Sequence, residues 1–466
     1  MWIPKIDKSK RGVYRTIVEK MREDIEAGIL KSGDQLPPQR DLAWALKVNL
    51  TTVSRAYREA VRQHLIGGEV GRGTYILANS AEASLFELKS KKHNETLNKL
   101  KPNDEFVDFS TNIPARNVAD KRFKTSMAEI IENYEDTLFE EYHAPILLDA
   151  LKIAATKWLN WRNMPSKPDN IILAGGAQTA LQAILISLCK SGDSILVEEF
   201  TFPGMKDFAR QFGLKLIPVK MDDQGILPDD LNETASKNRA KFIVLVPNHQ
   251  NPTGAVMSEM RQESIAQIIE SQNLTLIEDD VYGGLSGMPP LSNRLRNNSI
   301  YLTSLSKTVS FGLRLGFIWA SDEYFDILNR STNLTQWPLS PIMMQLAINW
   351  IEDGTAFDKA NWQRIETNER RKIAENILEK DSILTRDKNC PHLWIRICCQ
   401  AHFSKACEVQ QVNIAAAPIF IPNNKLHNNA GVDMNYIRLS LVAPSTRQNL
   451  AIGLKKIAKI LQTCGR

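Results

Sequence analysis

The residues best suited to chemistry are a lysine and an arginine that lie seven positions apart. Lys307 ends the run Thr303-Ser304-Leu305-Ser306-Lys307, and Arg314 follows in Gly312-Leu313-Arg314-Leu315-Gly316. A lysine amine can form a Schiff base with an aldehyde. An arginine beside hydroxyl groups can hold a phosphate. The grouping therefore predicts a site for a phosphorylated aldehyde, and pyridoxal 5′-phosphate (PLP) is such a compound.

Three motifs predict the phosphate end of this site. Gly176, Ala177 and Gln178 follow an apolar strand and open a helix, where backbone N–H groups bind anions. Ser304, Ser306 and Arg314 would add hydroxyls and a fork of guanidinium donors.

Four more residues match the ring of PLP. Asp279 could keep the pyridine nitrogen protonated, and Asn251 and Tyr282 could donate to the 3′-oxygen. Phe202 offers an aromatic plate for the ring face. Each motif is weak alone, but their joint occurrence in this order is specific.

The set resembles fold-type I PLP enzymes of the aspartate aminotransferase kind, over residues 106–463. In such proteins a C-terminal arginine pairs with the ligand's α-carboxylate. The run Tyr436-Ile437-Arg438-Leu439-Ser440 looks like that motif, so the resemblance assigns the effector's acid group to Arg438. It also implies a smaller C-terminal α/β subdomain.

The elements that must position these residues alternate along the same region. Apolar runs such as Ile171-Ile172-Leu173, Phe242-Ile243-Val244-Leu245-Val246 and Thr275-Leu276-Ile277 are separated by helical patterns. This alternation predicts an α/β fold with a mostly parallel sheet covered on both faces. Ligands of such sheets lie at the carboxyl ends of the strands, where the polar motifs fall.

The N-terminal segment has a different pattern. Val13, Ile17, Met21 and Ile25 recur every four residues, which predicts a helix that ends near Gly28. A short helix over 39–46 and a third helix capped within 49–52 follow, and the glycine-rich run 67–77 predicts a hairpin. Three helices and a hairpin make a winged helix-turn-helix, a DNA-binding module.

This segment resembles the GntR-type winged-helix family in Leu36-Pro37-Pro38-Gln39-Arg40-Asp41-Leu42-Ala43, in Thr51-Thr52-Val53-Ser54-Arg55-Ala56-Tyr57 and in Gly71-Arg72-Gly73-Thr74. The resemblance implies a set of DNA contacts, with arginines on phosphates or guanines and hydroxyls on phosphates or bases: Arg40, Thr51, Thr52, Ser54, Arg55 and Arg72. Leu50 and Ser54 stand where some relatives have arginine, so the operator sequence is not carried over.

Charge and composition agree with a DNA-binding module joined to a soluble domain. Residues 1–78 hold 14 Lys/Arg and 9 Asp/Glu, so the chain's net +5 lies entirely there. There is no apolar run of about 18 residues, as a membrane span needs, and no apolar leader, so we expect a cytoplasmic protein. The six cysteines form no C-x-x-C framework, so we expect free thiols and no metal site.

The whole chain resembles the MocR subfamily of GntR regulators. We expect a winged helix-turn-helix over 1–78, a polar linker over 79–105 and an aminotransferase-like PLP-binding effector domain over 106–463. The resemblance implies PLP and an amino acid or amine as effector, with promoter DNA as the partner. It further implies a head-to-tail homodimer.

Two departures from aminotransferases favour a sensor over an enzyme. Residues 142–150 lack the glycine and Leu-Arg pair often found there, and Ser310-Phe311 replaces the usual Ala-Pro after the lysine. We therefore expect a regulator in which the effector displaces Lys307, forming an external aldimine, while Arg438 holds its acid group. The alternatives are an active aminotransferase with a tethered DNA-binding module, and a regulator that has lost PLP and keeps only the architecture.

Overall fold

The computed structural model describes residues 2–4, 12–26, 29–30, 34–62, 65–69, 73–76, 106–134, 145–335, 339–379, 382–422 and 433–463. The chain divides into two compact units, Met1–Leu100 and Lys101–Arg466. The expected linker, 79–105, and Arg72 of the expected wing lie outside the described residues.

The N-terminal unit contains three helices and a small antiparallel sheet. Its elements are α1 (Val13–Glu26), β1 (Gln35–Leu36), α2 (Gln39–Leu46), α3 (Leu50–Arg62), β2 (Ile66–Glu69) and β3 (Gly73–Ile76). The strand order is β1-β3-β2. Ile17, Met21, Val53 and Ala56 are buried in one core, as the apolar periodicity predicted. The winged helix-turn-helix prediction is confirmed.

Local capping sets where α3 begins. The Asn49 side chain accepts a hydrogen bond from the Thr51 backbone N–H at 3.0 Å, which satisfies one of the amide groups left over at a helix start. At the other end of the unit's sequence, Trp2 donates from its indole N–H to Asp24 at 2.8 Å. The Trp2 side chain thus packs against the core of the DNA-binding module.

The strands of the C-terminal unit are, in chain order, β4 (Val107–Asp108), β5 (Ile171–Ala174), β6 (Ser194–Glu198), β7 (Lys215–Val219), β8 (Met221–Asp222), β9 (Gly225–Ile226), β10 (Phe242–Leu245), β11 (Thr275–Asp279), β12 (Ser299–Ser304), β13 (Gly316–Ala320), β14 (His392–Arg396), β15 (Val412–Asn413), β16 (Ala415–Ala416) and β17 (Tyr436–Ser440).

The helices of this unit are α4 (Arg122–Asn133), α5 (Pro145–Trp161), α6 (Ala177–Leu188), α7 (Pro203–Phe212), α8 (Pro228–Asn238), α9 (Glu259–Ser271), α10 (Asp322–Thr335), α11 (Pro341–Glu352), α12 (Thr355–Ile377), α13 (Gln400–Val409) and α14 (Arg447–Thr463).

Seven strands form the central sheet in the order β5-β13-β12-β11-β10-β6-β7. Only β13 runs antiparallel to its neighbours, β12 and β5. Successive side chains of β13 enter different cores: Phe317 packs with Trp158 and Trp350 of the helices on one face, and Ile318 packs with Leu181 of α6 on the other. The predicted mostly parallel sheet, covered on both faces, is confirmed.

A smaller subdomain follows the sheet in sequence. Strands β14, β17 and β16 form an antiparallel sheet, and α12, α13 and α14 supply helical residues to the core beneath it. Strand β4, from the start of the unit, pairs in parallel with β15 of this subdomain. Phe109, just after β4, is fully buried in the same core. The beginning of the unit is therefore built into its C-terminal subdomain.

Within the described residues, no helix has both the length and the apolar character needed to cross a bilayer.

Candidate functional site

The polar motifs converge because of strand register. Gly316 pairs with Ser304 on one side and with Ala174 on the other, so the strand ends next to Lys307 and Gly176 lie side by side. Asp279 pairs with Leu302 of the neighbouring strand. Residues far apart in sequence thus meet at one edge of the sheet.

The helix start after β5 forms an anion cradle with Arg314. Gly176 caps α6 with a φ of 103°, a conformation that favours glycine. A Cβ at Gly176 would lie only 3.1 Å from Nη2 of Arg314. The guanidinium therefore lies over the helix N-terminus, where backbone N–H groups and positive charge would bind a phosphate together. Ala177 and Gln178 are the first two residues of this helix.

Gly316 was not predicted as part of the site, yet it makes this arrangement possible. A Cβ there would lie 2.8 Å from the carbonyl carbon of Gly176. The strand and the helix start can approach each other only because this position has no side chain. Its place in Gly312–Gly316 gave no indication of the contact, which depends on the β13–β5 register.

Ser304, Ser306 and Lys307 follow one another where β12 ends. The Ser306 backbone N–H donates to the Ser304 hydroxyl at 3.3 Å. Among the described residues, the buried Ser306 hydroxyl has no hydrogen-bond partner. Leaving a buried hydroxyl unsatisfied costs free energy, which a bound phosphate oxygen would recover. The Lys307 amine donates to the Asn112 carbonyl at 2.6 Å.

Asp279 is a buried carboxyl group at the end of β11. Burial, assisted by the charge of Asp280, raises its pKa to about 7 against the opposing effects of the Val281 N–H and Lys307. The carboxylate accepts the Val281 N–H at 3.2 Å. A pyridinium nitrogen would supply the cationic partner that a buried carboxylate needs.

Asp280, the next residue, has a structural role. It accepts hydrogen bonds from Arg162 at 3.0 Å, from Asn248 at 2.9 Å and from Tyr301 at 2.8 Å. This buried network ties three places to the end of β11: the residue that follows α5, the loop after β10, and strand β12. It therefore fixes the backbone that carries Asp279.

Tyr282 lies beside two residues that the sequence did not assign to the site. The Asn112 side-chain amide donates to the Tyr282 hydroxyl at 3.1 Å and contacts Nδ1 of His392 at 2.9 Å. From the sequence, neither Asn112 nor His392 was expected in the site. Their contacts depend on the pairing of the beginning of the unit with its C-terminal subdomain. A local sequence pattern cannot show such pairing.

Asn251 and Arg438 meet, although 187 residues separate them. The Arg438 guanidinium donates to the Asn251 side-chain oxygen at 2.6 Å and to the Ser110 carbonyl. Arg438 is almost completely buried. The arginine expected to bind the effector's acid group thus lies next to one of the residues expected at the 3′-oxygen.

Phe202 and Gln178 lie at neighbouring helix starts. Phe202 is buried and immediately precedes α7. A Cβ at Gly204 would come too close to the end of the Gln178 side chain, which would have to shift to make room for it.

The proposed DNA contacts differ in their surroundings. Arg40 and Thr51 are exposed. The Ser54 hydroxyl donates to the Gln39 side chain at 2.7 Å, which links α3 to α2. The Arg55 guanidinium lies 4.2 Å from the centre of the Tyr14 ring, so Arg55 also braces α3 against α1. Thr52 is half-buried on α3.

Comparison with known proteins agrees with both units. Residues 104–457 match the family described as Aminotransferase class I and II, and residues 13–76 match Bacterial regulatory proteins, gntR family. The chain belongs to the class I and II aminotransferase family and carries a gntR-family helix-turn-helix domain. Its combination of these two domains is that of MocR-type GntR regulators, as the sequence resemblance predicted.

Two bacterial relatives of this chain are named as transcriptional regulators. The HTH-type transcriptional regulator YdeF of Bacillus subtilis (strain 168) is 27% identical over 466 residues, which cover 99% of this chain and 96% of that protein. The Vitamin B6 salvage pathway transcriptional repressor PtsJ of Salmonella typhimurium is 28% identical, over 66% of this chain and 67% of its own length.

Solved structures show the fold of the larger unit. An archaeal alanine:glyoxylate aminotransferase superposes with a TM-score of 0.72 at 21% identity, over 87% of this chain and 99% of that one. The kynurenine aminotransferase of Pyrococcus horikoshii gives 0.68 at 21% identity, over 80% and 94%. Together with the anion cradle, Lys307 and the buried Asp279, the family identifies the cofactor as PLP.

Proposed function

We propose that this protein is a transcriptional regulator that binds promoter DNA through its N-terminal unit and senses an amino acid or amine through PLP carried on Lys307. One observation carries the proposal. Lys307 and Arg438, which would hold the amino and acid ends of such an effector, contact the carbonyls of Asn112 and Ser110 in the same short segment.

PLP supplies an aldehyde that exchanges one amine for another. Gly176, Ala177, Gln178, Ser304, Ser306 and Arg314 would hold its phosphate, and Asp279, Asn251, Tyr282 and Phe202 would surround its ring. An effector amine would take the place of the Lys307 amine, and Arg438 would bind the effector's acid group by a charge-assisted hydrogen bond.

Segment 107–112 is in a position to transmit effector binding, because its carbonyl groups contact both Lys307 and Arg438. The Lys307 amine, once released, can donate to the Asn112 carbonyl, while an effector carboxylate competes with the Ser110 carbonyl for Arg438. The segment is held on the small subdomain by hydrogen bonds from the Phe109 N–H to Asn413 at 2.8 Å and from the Ser440 N–H to Phe109 at 2.9 Å. In sequence it directly follows the proposed linker, 79–105, so its displacement would act on the chain that leads to the DNA-binding module.

The family resemblance supports a head-to-tail homodimer in the cytoplasm. Two-fold symmetry would present two winged helices to two half-sites of one operator. Arg40, Thr51, Thr52, Ser54, Arg55 and Arg72 are the proposed DNA contacts in each copy.

The test is a parallel measurement of cofactor spectrum and DNA affinity. DNA selected by the PLP-loaded protein from a random pool is titrated by fluorescence anisotropy, with and without a panel of amino compounds. We expect the compound that shifts the visible cofactor band also to change the DNA affinity. Lys307→Ala should lack the band and the response but still bind DNA. A compound that shifts the band in full without changing DNA affinity contradicts the proposal.

A second function, transamination, is favoured by the completeness of the site. Lys307, Asp279, Tyr282 and Arg438 match the residue types that the family resemblance expects in an aminotransferase site, and a lysine amine can move a proton in that reaction. Steady turnover of an amino acid with a keto acid at roughly 1 s⁻¹ or faster would support it.

A further inference from the structure

A chain of hydrogen bonds runs from a backbone carbonyl to the hydroxyl of Tyr282. We call it the His392 relay, and it comprises Gln250, His392, Asn112 and Tyr282. Nε2 of His392 lies 3.0 Å from the Gln250 carbonyl oxygen. Nδ1 of the same ring lies 2.9 Å from Nδ2 of Asn112, and that Nδ2 lies 3.1 Å from the Tyr282 hydroxyl.

The contact with Gln250 determines which atoms donate and which accept along the relay. A carbonyl oxygen can only accept, so Nε2 of His392 must carry the hydrogen. Burial, and then the neighbouring positive charges of Arg438 and Lys307, hold the pKa of His392 well below its ordinary value. The ring is therefore neutral, and its Nδ1 accepts.

An accepting Nδ1 in turn fixes the orientation of the Asn112 amide. The NH₂ group must face His392, because the opposite orientation would set two acceptors against each other. Its second hydrogen goes to the Tyr282 oxygen. The tyrosine's own hydrogen is consequently directed away from Asn112. The other end of the amide, Oδ1, is buried and has no hydrogen-bond partner among the described residues.

We propose that Asn112 is a positioning residue that holds Tyr282 as a hydrogen-bond donor toward the bound cofactor. This inference rests on the proposed function, since it takes PLP to be carried at Lys307. Asn112 itself acts through Tyr282: by donating to the tyrosine oxygen, it directs the tyrosine hydrogen away from the amide and favours donation toward the cofactor. The ionisable groups around His392 are Arg438, His249 and Lys307, and the neutral partner on the far side is Gln250.

This role of Asn112 should affect the pH at which the visible absorption band of the cofactor changes. A hydroxyl that donates to the cofactor's 3′-oxygen stabilises the deprotonated form of the Lys307 linkage. Weakening that donation therefore raises the pH at which the visible band of the loaded protein changes. A hydrogen bond to a charged oxygen is worth about one pH unit on this scale, or about tenfold in the protonation equilibrium.

The experiment compares absorbance titrations of the PLP-loaded full chain and four variants. Tyr282→Phe sets the size of the full effect. Asn112→Asp places an acceptor against the tyrosine hydrogen and should raise the midpoint by about one pH unit or more. Asn112→Ala should raise it by less. Asn449→Asp, the same chemical change on α14, is the control and should leave the midpoint in place.

A double variant separates positioning from general damage. If Asn112 acts through the tyrosine, Asn112→Ala combined with Tyr282→Phe should give the midpoint of Tyr282→Phe alone. Shifts that add, or an Asn112→Asp midpoint that equals the unmutated one, overturn the inference. Asn112→Ala introduces no buried charge, so it carries the test if Asn112→Asp fails to fold.

The outcomes also separate this inference from the function on which it rests. A protein that shows no visible band after loading overturns both. A normal band with an unmoved midpoint in the Asn112 variants overturns only the role of Asn112.

Discussion

At the scale of single residues, the site contains acids whose burial is costly without a ligand. Burial raises the pKa of Asp279 to about 7, and burial likewise raises that of Glu198, at the end of β6, to about 8. Glu198 accepts the Val246 N–H at 2.9 Å, but its second oxygen has no partner among the described residues. Such groups favour protonation or a cationic ligand, and for Asp279 the proposed ligand is the pyridinium of PLP.

We predict that the cofactor-free protein loses stability as pH rises from about 4 to about 7. In that range folded Asp279 keeps a proton that the unfolded chain, with the ordinary value of 3.8, has released. The free energy of unfolding therefore falls with pH. Asp279→Asn should remove part of the fall and gain roughly 1–4 kcal/mol above pH 7, measured by urea unfolding at pH 5 and pH 8.

The same substitution should act in the opposite direction once PLP is bound, because the partner of the pyridinium is lost. Cofactor affinity should drop, as followed by equilibrium dialysis. The exposed Asp326→Asn is the matched control for both measurements. Equal stability of Asp279→Asn and the unmutated cofactor-free protein at pH 8 would contradict the burial argument.

Gly316→Ala should disturb the anion cradle. Its Cβ would meet the backbone of Gly176 at 2.8 Å, and backbone cannot rotate away, so α6 must move from Arg314. We expect a loss of about 1–3 kcal/mol in unfolding free energy and weaker PLP binding. Gly287→Ala is the control, since a Cβ there meets nothing within 4 Å. Unchanged affinity for PLP in Gly316→Ala would argue against the cradle.

At the scale of elements, segment 107–112 and α14 form one packed unit. A Cβ at Gly453 of α14 would lie 2.5 Å from the Phe109 ring, and that ring is fully buried. The helix therefore needs a glycine where it crosses the segment.

Gly453→Ala should displace the segment and, with it, the carbonyls that contact Lys307 and Arg438. We expect lower stability and a changed effector response in DNA anisotropy, while the cofactor band in the resting state is retained. Asn449→Ala, half-buried on the same helix, serves as the control. If Gly453→Ala keeps the full effector response despite lower stability, the segment does not carry the coupling.

In the DNA-binding module, α2 and α3 carry residues of two kinds. Some are proposed DNA contacts, and others hold the two helices together. Arg40 is exposed, whereas Ser54 donates to Gln39 across the two helices. A hydroxyl used in this way contributes to the module's stability, at about 1 kcal/mol for an ordinary hydrogen bond.

Arg40→Ala should weaken DNA binding and reduce the dependence of log affinity on log salt by about one, as expected for the loss of one phosphate contact. Anisotropy titrations at several salt concentrations measure this slope. Arg330→Ala removes the same charge from the C-terminal unit and should leave the slope unchanged. An unaltered slope in Arg40→Ala would remove Arg40 from the proposed contacts.

At the scale of the whole molecule, the net positive charge lies in the part of the chain that is proposed to bind DNA. The net +5 of the chain lies within residues 1–78, and the remaining residues are balanced. A polyanion is therefore attracted to the N-terminal unit, while the larger unit can bind small zwitterions without competing for DNA.

The chain should sediment at twice its own mass, in line with the proposed homodimer. Two-fold symmetry gives an operator with two half-sites a matching pair of winged helices. Sedimentation velocity of the PLP-loaded protein, alone and with DNA, measures both states. A monomer in both conditions would contradict the assembly that the family resemblance implies.

The sequence by itself determined the parts of this protein that depend on local periodicity and on residue chemistry. Apolar repeats predicted α1 to α3 and the parallel strands, because each element buries one face with its own period. Lys307, Asp279 and Arg314 could be proposed as site residues because few residue types can do their chemistry. Only the tertiary structure decided what surrounds them. Gly316, Asn112 and His392 act through strand register and through the return of segment 107–112 onto the small subdomain. Such contacts join residues more than a hundred positions apart, so no window of sequence contains both partners.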